Sequence, residues 1–286
     1  MTQNGQSIVL VVGATGNVGR NVVQQLTEHG VRVRAASRSP KTAKGLPEAE
    51  LVRVNLEEAE TLRAAAEGAD AAFLMVRGFT VRPETMTEAL RGRVKRIVFL
   101  SSMAVDDNAP VQTNPIGKAH VEIEEAIRAT GAEWTFLRPG AFATNTLTWW
   151  GPQLRAGDVV RWPYGEAAWA SIHEADIAAV AVRALTEDGH AGKKYVLTGG
   201  EALTQKEQLH TIGEAIGRTL RFEELAPEAA REQMKAYLPE FVVDRLLPMW
   251  ERAMIERALV TRTVEEVTGK APRTFWQWAM DHANEF

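Results

Sequence analysis

The sequence predicts an α/β protein built on a doubly wound parallel sheet, with a smaller C-terminal lobe interleaved with it. Three observations carry the prediction. Short apolar runs alternate with helix-spaced stretches over the first 150 residues. A glycine-rich turn, "GATGNVG" at 13–19, follows the first apolar run. After Pro139-Gly140 the alternation breaks, and one strand near 194–198 returns late in the chain. Alternating strands and helices bury a parallel sheet between two helical layers. The expected division is a core at 1–150 and a lobe at 151–286.

Ile8–Val12 reads as a buried strand. Val18, Val22, Val23 and Leu26 then recur at helical spacing, and Gly30 suits the helix end. Val31–Ser37 and Leu51–Asn55 read as the second and third strands. An Ala-rich helix runs from about Glu57 to Glu67. Ala71–Val76 and Arg96–Ser101 are the fourth and fifth strands. Ile116–Thr130 is a helix closed by Gly131, and Trp134–Leu137 is a sixth strand. In the second half, Lys194–Thr198 is the returning strand. Thr204–Gly217, Pro227–Tyr237 and Glu240–Leu259 read as helices, and Thr263 and Pro272 mark the starts of two short final ones.

Composition narrows the function classes. The chain has 286 residues, 45% hydrophobic and 24% charged, with a net charge of −4 and no basic block. That argues against nucleic-acid binding. There are no cysteines, which excludes disulfides and thiolate chemistry. No apolar run reaches the roughly 18 residues of a membrane span, and "MTQNGQ" lacks the regions of a signal peptide. A cytoplasmic protein with no membrane partner is expected, as a monomer or homodimer. The histidines and carboxylates show no metal-ligand spacing.

The glycine turn explains itself once its place is considered. A strand–loop–helix unit leaves backbone N–H groups free at a helix N-terminus, where phosphate binds well. Gly13 makes the turn, Gly16 admits a pyrophosphate and Gly19 lets the helix approach the strand. The motif sits at the start of a βαβ repeat, the context a dinucleotide site requires. Thr15, Asn17 and Val18 share the loop and are counted with the glycines as cofactor contacts.

The spacing G-x-x-G-x-x-G resembles that of atypical and extended short-chain dehydrogenases/reductases. "LSSMAV" (100–105) is similar to that family's fifth-strand end. "ATGAEWTFLRPGAFATN" (129–145) and "TRTVEEVTGKAPRTF" (261–275) resemble the NmrA-like group. The resemblance covers nearly the whole chain. It implies a Rossmann fold, a small substrate lobe and use of NADP(H) or NAD(H). Asn55 matches a position that is often Asp in the family and touches adenine. Met75, Val76, Pro139, Gly140 and Phe142, all at or just beyond strand ends, are the remaining cofactor contacts expected of such a sheet.

The second strand's end selects between the cofactors. An NAD site usually carries Asp or Glu about 20 residues after the glycines. Here "AASRSPKTAK" has no carboxylate. Arg38, with Lys41 and Lys44 near, stands where a 2′-phosphate would lie, and a guanidinium grips phosphate through paired hydrogen bonds. NADP(H) is therefore expected. Arg32 and Arg34, within the strand, are expected to end in solvent.

Most relatives use a Tyr-x-x-x-Lys pair on the helix after strand five. This helix offers Lys118, preceded by Asn114 rather than Tyr. At roughly 100° per residue, Ile116, Ile123 and Ile127 share the inward face with His120, and Lys118 points outward. His120 is thus either a ribose contact or proton donor, or an inward histidine bonded to backbone. Ser101 and Ser102 either touch nicotinamide or a substrate oxygen, or simply end the strand. His120 and Ser102 are the catalytic candidates. Met103 follows, where many relatives carry a polar group. Asp176 reads as a helix N-cap, and His173 beside it is a weaker pocket candidate.

Trp149, Trp150, Trp162 and Trp169 fall within 21 residues, with Phe142 just before them. Such a cluster suits a flat apolar ligand, and equally the core of a small lobe or an oligomer interface. Met103, Phe142, Trp149, Trp150 and Trp162 are the expected substrate contacts. The reading is an NADPH-dependent reductase of a small apolar or aromatic conjugated carbonyl, such as a quinone or enone. The alternatives are a non-catalytic NADP(H)-binding regulator acting through a protein partner, or an isomerase or epimerase that retains its cofactor. An anionic substrate is disfavoured, with Arg155 and Arg161 as the reservation.

Overall fold

The computed structural model describes residues 7–40, 45–76, 82–236 and 238–286. Their order along the chain begins β1 (Ile8–Val12), α1 (Asn17–Glu28), β2 (Arg32–Ser37), β3 (Glu50–Arg53), α2 (Ala59–Ala66), β4 (Ala71–Leu74) and α3 (Pro83–Leu90). It continues with β5 (Arg96–Leu100), α4 (Pro115–Ala129), β6 (Glu133–Pro139), α5 (Asn145–Trp149), α6 (Gly151–Ala156), β7 (Val159–Trp162) and β8 (Ala168–Trp169). Then come α7 (Glu174–Thr186), β9 (Lys193–Leu197), β10 (Leu203–Thr204), α8 (Gln205–Ile216) and β11 (Arg221–Glu224). The chain closes with α9 (Pro227–Lys235), α10 (Glu240–Ala253), α11 (Thr263–Thr268) and α12 (Phe275–Asp281).

Two compact units result. The first comprises 1–140, 174–197 and 263–270; the second comprises 141–173, 198–262 and 271–286. In the first unit seven parallel strands lie in the order β3-β2-β1-β4-β5-β6-β9. This is the doubly wound Rossmann arrangement that the sequence predicts. The order reverses between β1 and β4, which opens a crevice beyond their carboxyl ends. In register, Val12 lies between Ala36 and Leu74. Gly13, Met75 and the turn at Arg38 therefore emerge together.

The strands are buried on both faces, as parallel strands are. Leu10, Val12, Phe99 and Phe136 pack with Leu62 of α2, Met86 of α3 and Ile127 of α4. Val9 and Val11 point the opposite way and are also buried; α1 and α7 pack together in this unit.

Helix α3 went unread in the sequence, although Pro83 at its first turn and buried Met86 and Leu90 four apart are a helix signature. Arg34 corrects another expectation. Its side chain is only 14% exposed. It donates to Glu50 Oε2 (3.0 Å) and to the carbonyls of Ala65 (2.7 Å) and Glu67 (2.8 Å). A cation at the last carbonyls of α2 satisfies acceptors that a helix end leaves open. Asp176 is not an N-cap: it is the third residue of α7 and buried.

The second unit packs around tryptophan. Trp150, Trp162, Trp250 and Trp278 are each 0% exposed, within a cluster that includes Leu209, Ile212 and Met234. Thr204 and Glu207 form a capping box at the start of α8, and Thr274 and Gln277 form one at α12. Among the described residues no helix is long and apolar enough to cross a membrane.

Candidate functional site

The glycine loop is a turn followed by an uncapped helix. Gly13 has φ +84°, which only glycine adopts freely. Gly16 N–H donates back to Gly13 O at 3.0 Å. Gly16 is also the N-cap of α1, so no side chain satisfies the helix's first amides, and its first turn holds no acid. A Cβ on Gly19 would lie 2.1 Å from Gly13 O. Only glycine lets α1 sit this close to the turn. A Cβ on Gly16 would meet Met75 Cε at 2.6 Å, and one on Gly13 would meet it at 2.8 Å. The Met75 thioether therefore rests directly on the loop. Thr15 and Asn17 are exposed, Val18 is buried and Val76 is half-buried.

Arg38 is exposed at the turn after β2 and makes no ion pair among the described residues. Lys41 and Lys44 lie outside the described residues. Asn55 is held internally: its Nδ2 donates to Glu58 Oε1 (2.9 Å) and its Oδ1 accepts from Glu57 N–H (3.2 Å). Arg53 also binds Glu58, and with Asn55 holds that carboxyl down at about 2.

At the end of β5 the two serines differ. Ser101 is buried, and its hydroxyl donates to Glu124 Oε1 at 2.6 Å. Ser102 is half-buried, and its Oγ accepts from Ala104 N–H at 3.1 Å. Met103 is 43% exposed. Its N–H donates to Pro139 O (3.1 Å), while Gly140 N–H donates to Leu197 O (2.9 Å), tying the ends of β5, β6 and β9 together.

Helix α4 starts with Asn114 as N-cap, its Oδ1 accepting from Ile116 N–H at 3.0 Å. Lys118 is exposed, whereas Ile123 and Ile127 are buried. His120 is half-buried, 6.0 Å from the Phe99 ring. Its Nδ1 lies 2.7 Å from Ile116 O. A carbonyl only accepts, so this assignment places the proton on Nδ1. Burial pushes the imidazole pKa below its ordinary value, opposed by the Ile116 bond and the Glu124 charge. The neutral ring then offers Nε2 as an acceptor.

Glu124, one turn after His120, is 0% exposed. It accepts from Arg138 Nε (3.0 Å) and Nη2 (2.7 Å) as well as from Ser101. Arg138 grips Asp107 through both terminal nitrogens, at 2.8 and 3.0 Å. That guanidinium holds the Asp107 carboxyl down at about 2. None of these three charges was singled out in the sequence. The signal was there: Glu124 falls four residues after His120 on the inward face, and a buried carboxylate demands a partner.

In the second unit, Phe142 is half-buried and forms a lone bridge with Ile172. Trp150 and Trp162 have no exposed surface. Their observed role is packing, not the lining of an open pocket. Trp149 is partly exposed, 5.3 Å from Trp250 and 6.3 Å from Trp162 between ring centroids. Arg155 donates to Glu285 O (3.0 Å), and Arg161 pairs with Glu223 (2.9 Å). His173 is buried, with Nε2 3.2 Å from Asp281 Oδ2. No metal-ligating cluster occurs among the described residues.

A family model described as NAD(P)H-binding matches residues 13–188. The chain belongs to the NAD(P)H-binding family. The NAD(P)H-binding family read from the sequence is thereby borne out, and a solved NmrA shares the fold, with TM-score 0.70 and 19% identity over 96% of this chain and 95% of that one. The chain is 39% identical to the (4-alkanoyl-5-oxo-2,5-dihydrofuran-3-yl)methyl phosphate reductase of Streptomyces griseus, over 98% of this chain and 99% of that one. It is 33% identical to the NAD(P)H azoreductase of Xenophilus azovorans, again over 98% and 99%. Its fold is that of the NADPH-dependent quinone oxidoreductase of Escherichia coli solved with NADPH. That match has TM-score 0.78 and 22% identity, over 96% of this chain and 99% of that one. Both of these full-length relatives are named as reductases.

Proposed function

We propose that this protein is an NADPH-dependent reductase of small conjugated acceptors of the quinone or enone type. Its full-length likeness to two reductases, one named for a dihydrofuranone and one for azo compounds, carries the reading. The names share an electron-poor π-bond that can accept a hydride. The full-length reductases favour turnover over a purely regulatory role.

The residues present fit the cofactor. The uncapped amides of α1 and the glycine turn that leads into it suit a pyrophosphate. Arg38, which makes no ion pair among the described residues and has no carboxylate nearby in the sequence, suits the 2′-phosphate and so NADPH. Thr15, Asn17, Val18, Asn55, Met75, Val76, Pro139, Gly140 and Phe142 complete the proposed contacts. When bound, the reduced nicotinamide supplies a hydride. His120 would accept a hydrogen bond from a ribose hydroxyl through Nε2, because Ile116 O holds its proton on Nδ1. Of the roles the sequence left open for it, ribose contact or proton donor, this tautomer favours the ribose contact. Water supplies the proton, which suffices for a quinone because the product phenol is acidic enough. Ser102, the more exposed serine, orients the acceptor oxygen, and Ser101 supports the loop from within. Met103, exposed on the same loop, provides apolar contact.

The relative's name joins a conjugated ring to a phosphate ester. We therefore carry over conjugation as the selected feature and drop the requirement for a neutral substrate. A kinetic panel of quinones, azo dyes, enones, a butenolide phosphate, simple ketones and sugar phosphates tests this. Conjugated acceptors should lead by at least tenfold in kcat/KM; a simple ketone or sugar phosphate in first place would overturn it.

A further inference from the structure

We propose that the buried Glu124–Arg138 ion pair is a clamp that sets the shape of the 101–107 loop, with Asp107 as the positioning residue at its outer end. The proposal deepens the reading above, since Ser102 and Met103 lie on that loop.

The two ends of the loop are held by the two halves of one ion pair. At the start, Ser101 donates its hydroxyl to Glu124 (2.6 Å) and its N–H to Leu137 O (2.7 Å). At the far end, Asp107 takes both terminal nitrogens of Arg138. Arg138 meanwhile holds Glu124 through Nε and Nη2. Glu124 comes from α4 and Arg138 from β6, so neither belongs to the loop they fix. Lys194 of β9 adds a bond to Asp107 Oδ1 at 2.7 Å. Between the ends, Ala104 O presses on α4, where a Cβ on Gly117 would come within 2.4 Å of it.

A fork-shaped guanidinium suits this task because it engages two carboxylates in one plane. A buried ion pair contributes little net stability compared with apolar packing, because desolvation opposes the attraction. Its place under a loop that carries two site residues is the reason to assign it positioning rather than bulk stabilisation. The clamp leaves Ser102 and Met103 with a defined backbone while Met103 stays exposed.

Asp107 is the place to test it, because its side chain is 47% exposed and its removal leaves the Glu124–Arg138 pair intact. The measurement is hydrogen–deuterium exchange of the cofactor-free protein, comparing wild type with Asp107→Ala and Asp107→Glu. Asp107→Ala should speed exchange in peptides spanning 101–108 at least tenfold and leave those from β1 and α1 unchanged. Asp107→Glu should restore much of the protection. With a quinone acceptor, Asp107→Ala should raise KM at least fivefold, with NADPH affinity by fluorescence within twofold of wild type. Unchanged loop exchange, uniform acceleration across the sheet, or an unchanged KM beside a loosened loop would overturn the proposal. Absence of turnover in the wild-type protein would count against the proposed reaction alone, and exchange would then decide the clamp.

Discussion

Replacing Gly19 by alanine should be far more damaging than replacing Gly16, although both glycines belong to the same motif. At Gly19 the added Cβ would lie 2.1 Å from Gly13 O, 2.7 Å from Gly13 C and 3.1 Å from Ala14 Cα. Ordinary contact begins at 3.4 Å, so α1 and the turn must separate by about 1.3 Å. All three obstacles are backbone and cannot rotate aside. The separation also loosens Val18, Val22, Val23 and Leu26, none more than 1% exposed. Overpacking of this kind costs about 3 kcal/mol, the upper part of its usual range. At roughly 2–4 °C per kcal/mol, Tm should fall by about 6–12 °C. At Gly16 the nearest atom is Met75 Cε, the end of a flexible thioether, and φ is −82°. Gly16→Ala should therefore cost less than about 1 kcal/mol. Thermal unfolding followed by circular dichroism measures both. A Gly19→Ala protein as stable as the parent, or a reversed order, would refute the claim that backbone approach is what this glycine provides.

Gly16→Val should keep the fold and abolish NADPH binding, as seen by fluorescence titration; retained binding would make the loop purely structural. Arg38→Ala should weaken NADPH by about 1.5–3 kcal/mol and leave NADH unchanged, since hydrogen bonds to charged groups fall in that range; equal losses for both cofactors would refute the assignment. Lys118→Ala should leave cofactor affinity and turnover within about twofold, as expected of a surface site. His120→Ala should weaken one of them at least tenfold, or about 1.4 kcal/mol, and the opposite ranking would show the helix phase to be misassigned. Burial depresses the His120 pKa in the folded state, so the unfolded chain takes up the proton first as pH falls. Its contribution is complete above the ordinary imidazole value of about 6.5 and is lost below it. His190 shifts in the same sense, so the comparison is Tm against pH for wild type and His120→Gln. The variant should show the shallower decline; parallel curves would contradict the linkage.

The alternation of strands and helices was legible because each apolar run is short and bounded by turn residues. The glycine loop was legible because its spacing follows a strand and opens a helix. The phase of α4 was legible because three isoleucines share one face. What escaped was interaction between distant positions. Arg138 reads as one polar residue in an apolar strand, and Glu124 as one acid among several on an amphipathic helix. Only the folded sheet brings them within 2.7 Å and makes each the reason for the other. The tryptophan cluster misled for a related reason. Sequence spacing shows that indoles are concentrated but not whether they face outward, and Trp150 and Trp162 pack inward. Arg34 likewise alternates as a solvent-facing residue, yet the end of α2 lies over it and takes its donors.

The most direct test of the central claim is transfer of deuterium from NADPH labelled at nicotinamide C4 to a conjugated acceptor that retains a hydride at carbon, such as an enone. Product would be analysed by mass spectrometry after a single turnover, with each C4 face labelled in turn. One deuterium per product molecule is expected, from one of the two faces, with stoichiometric loss of NADPH absorbance. Loss of NADPH with no deuterium in the product, or no NADPH loss with any conjugated acceptor, would contradict it.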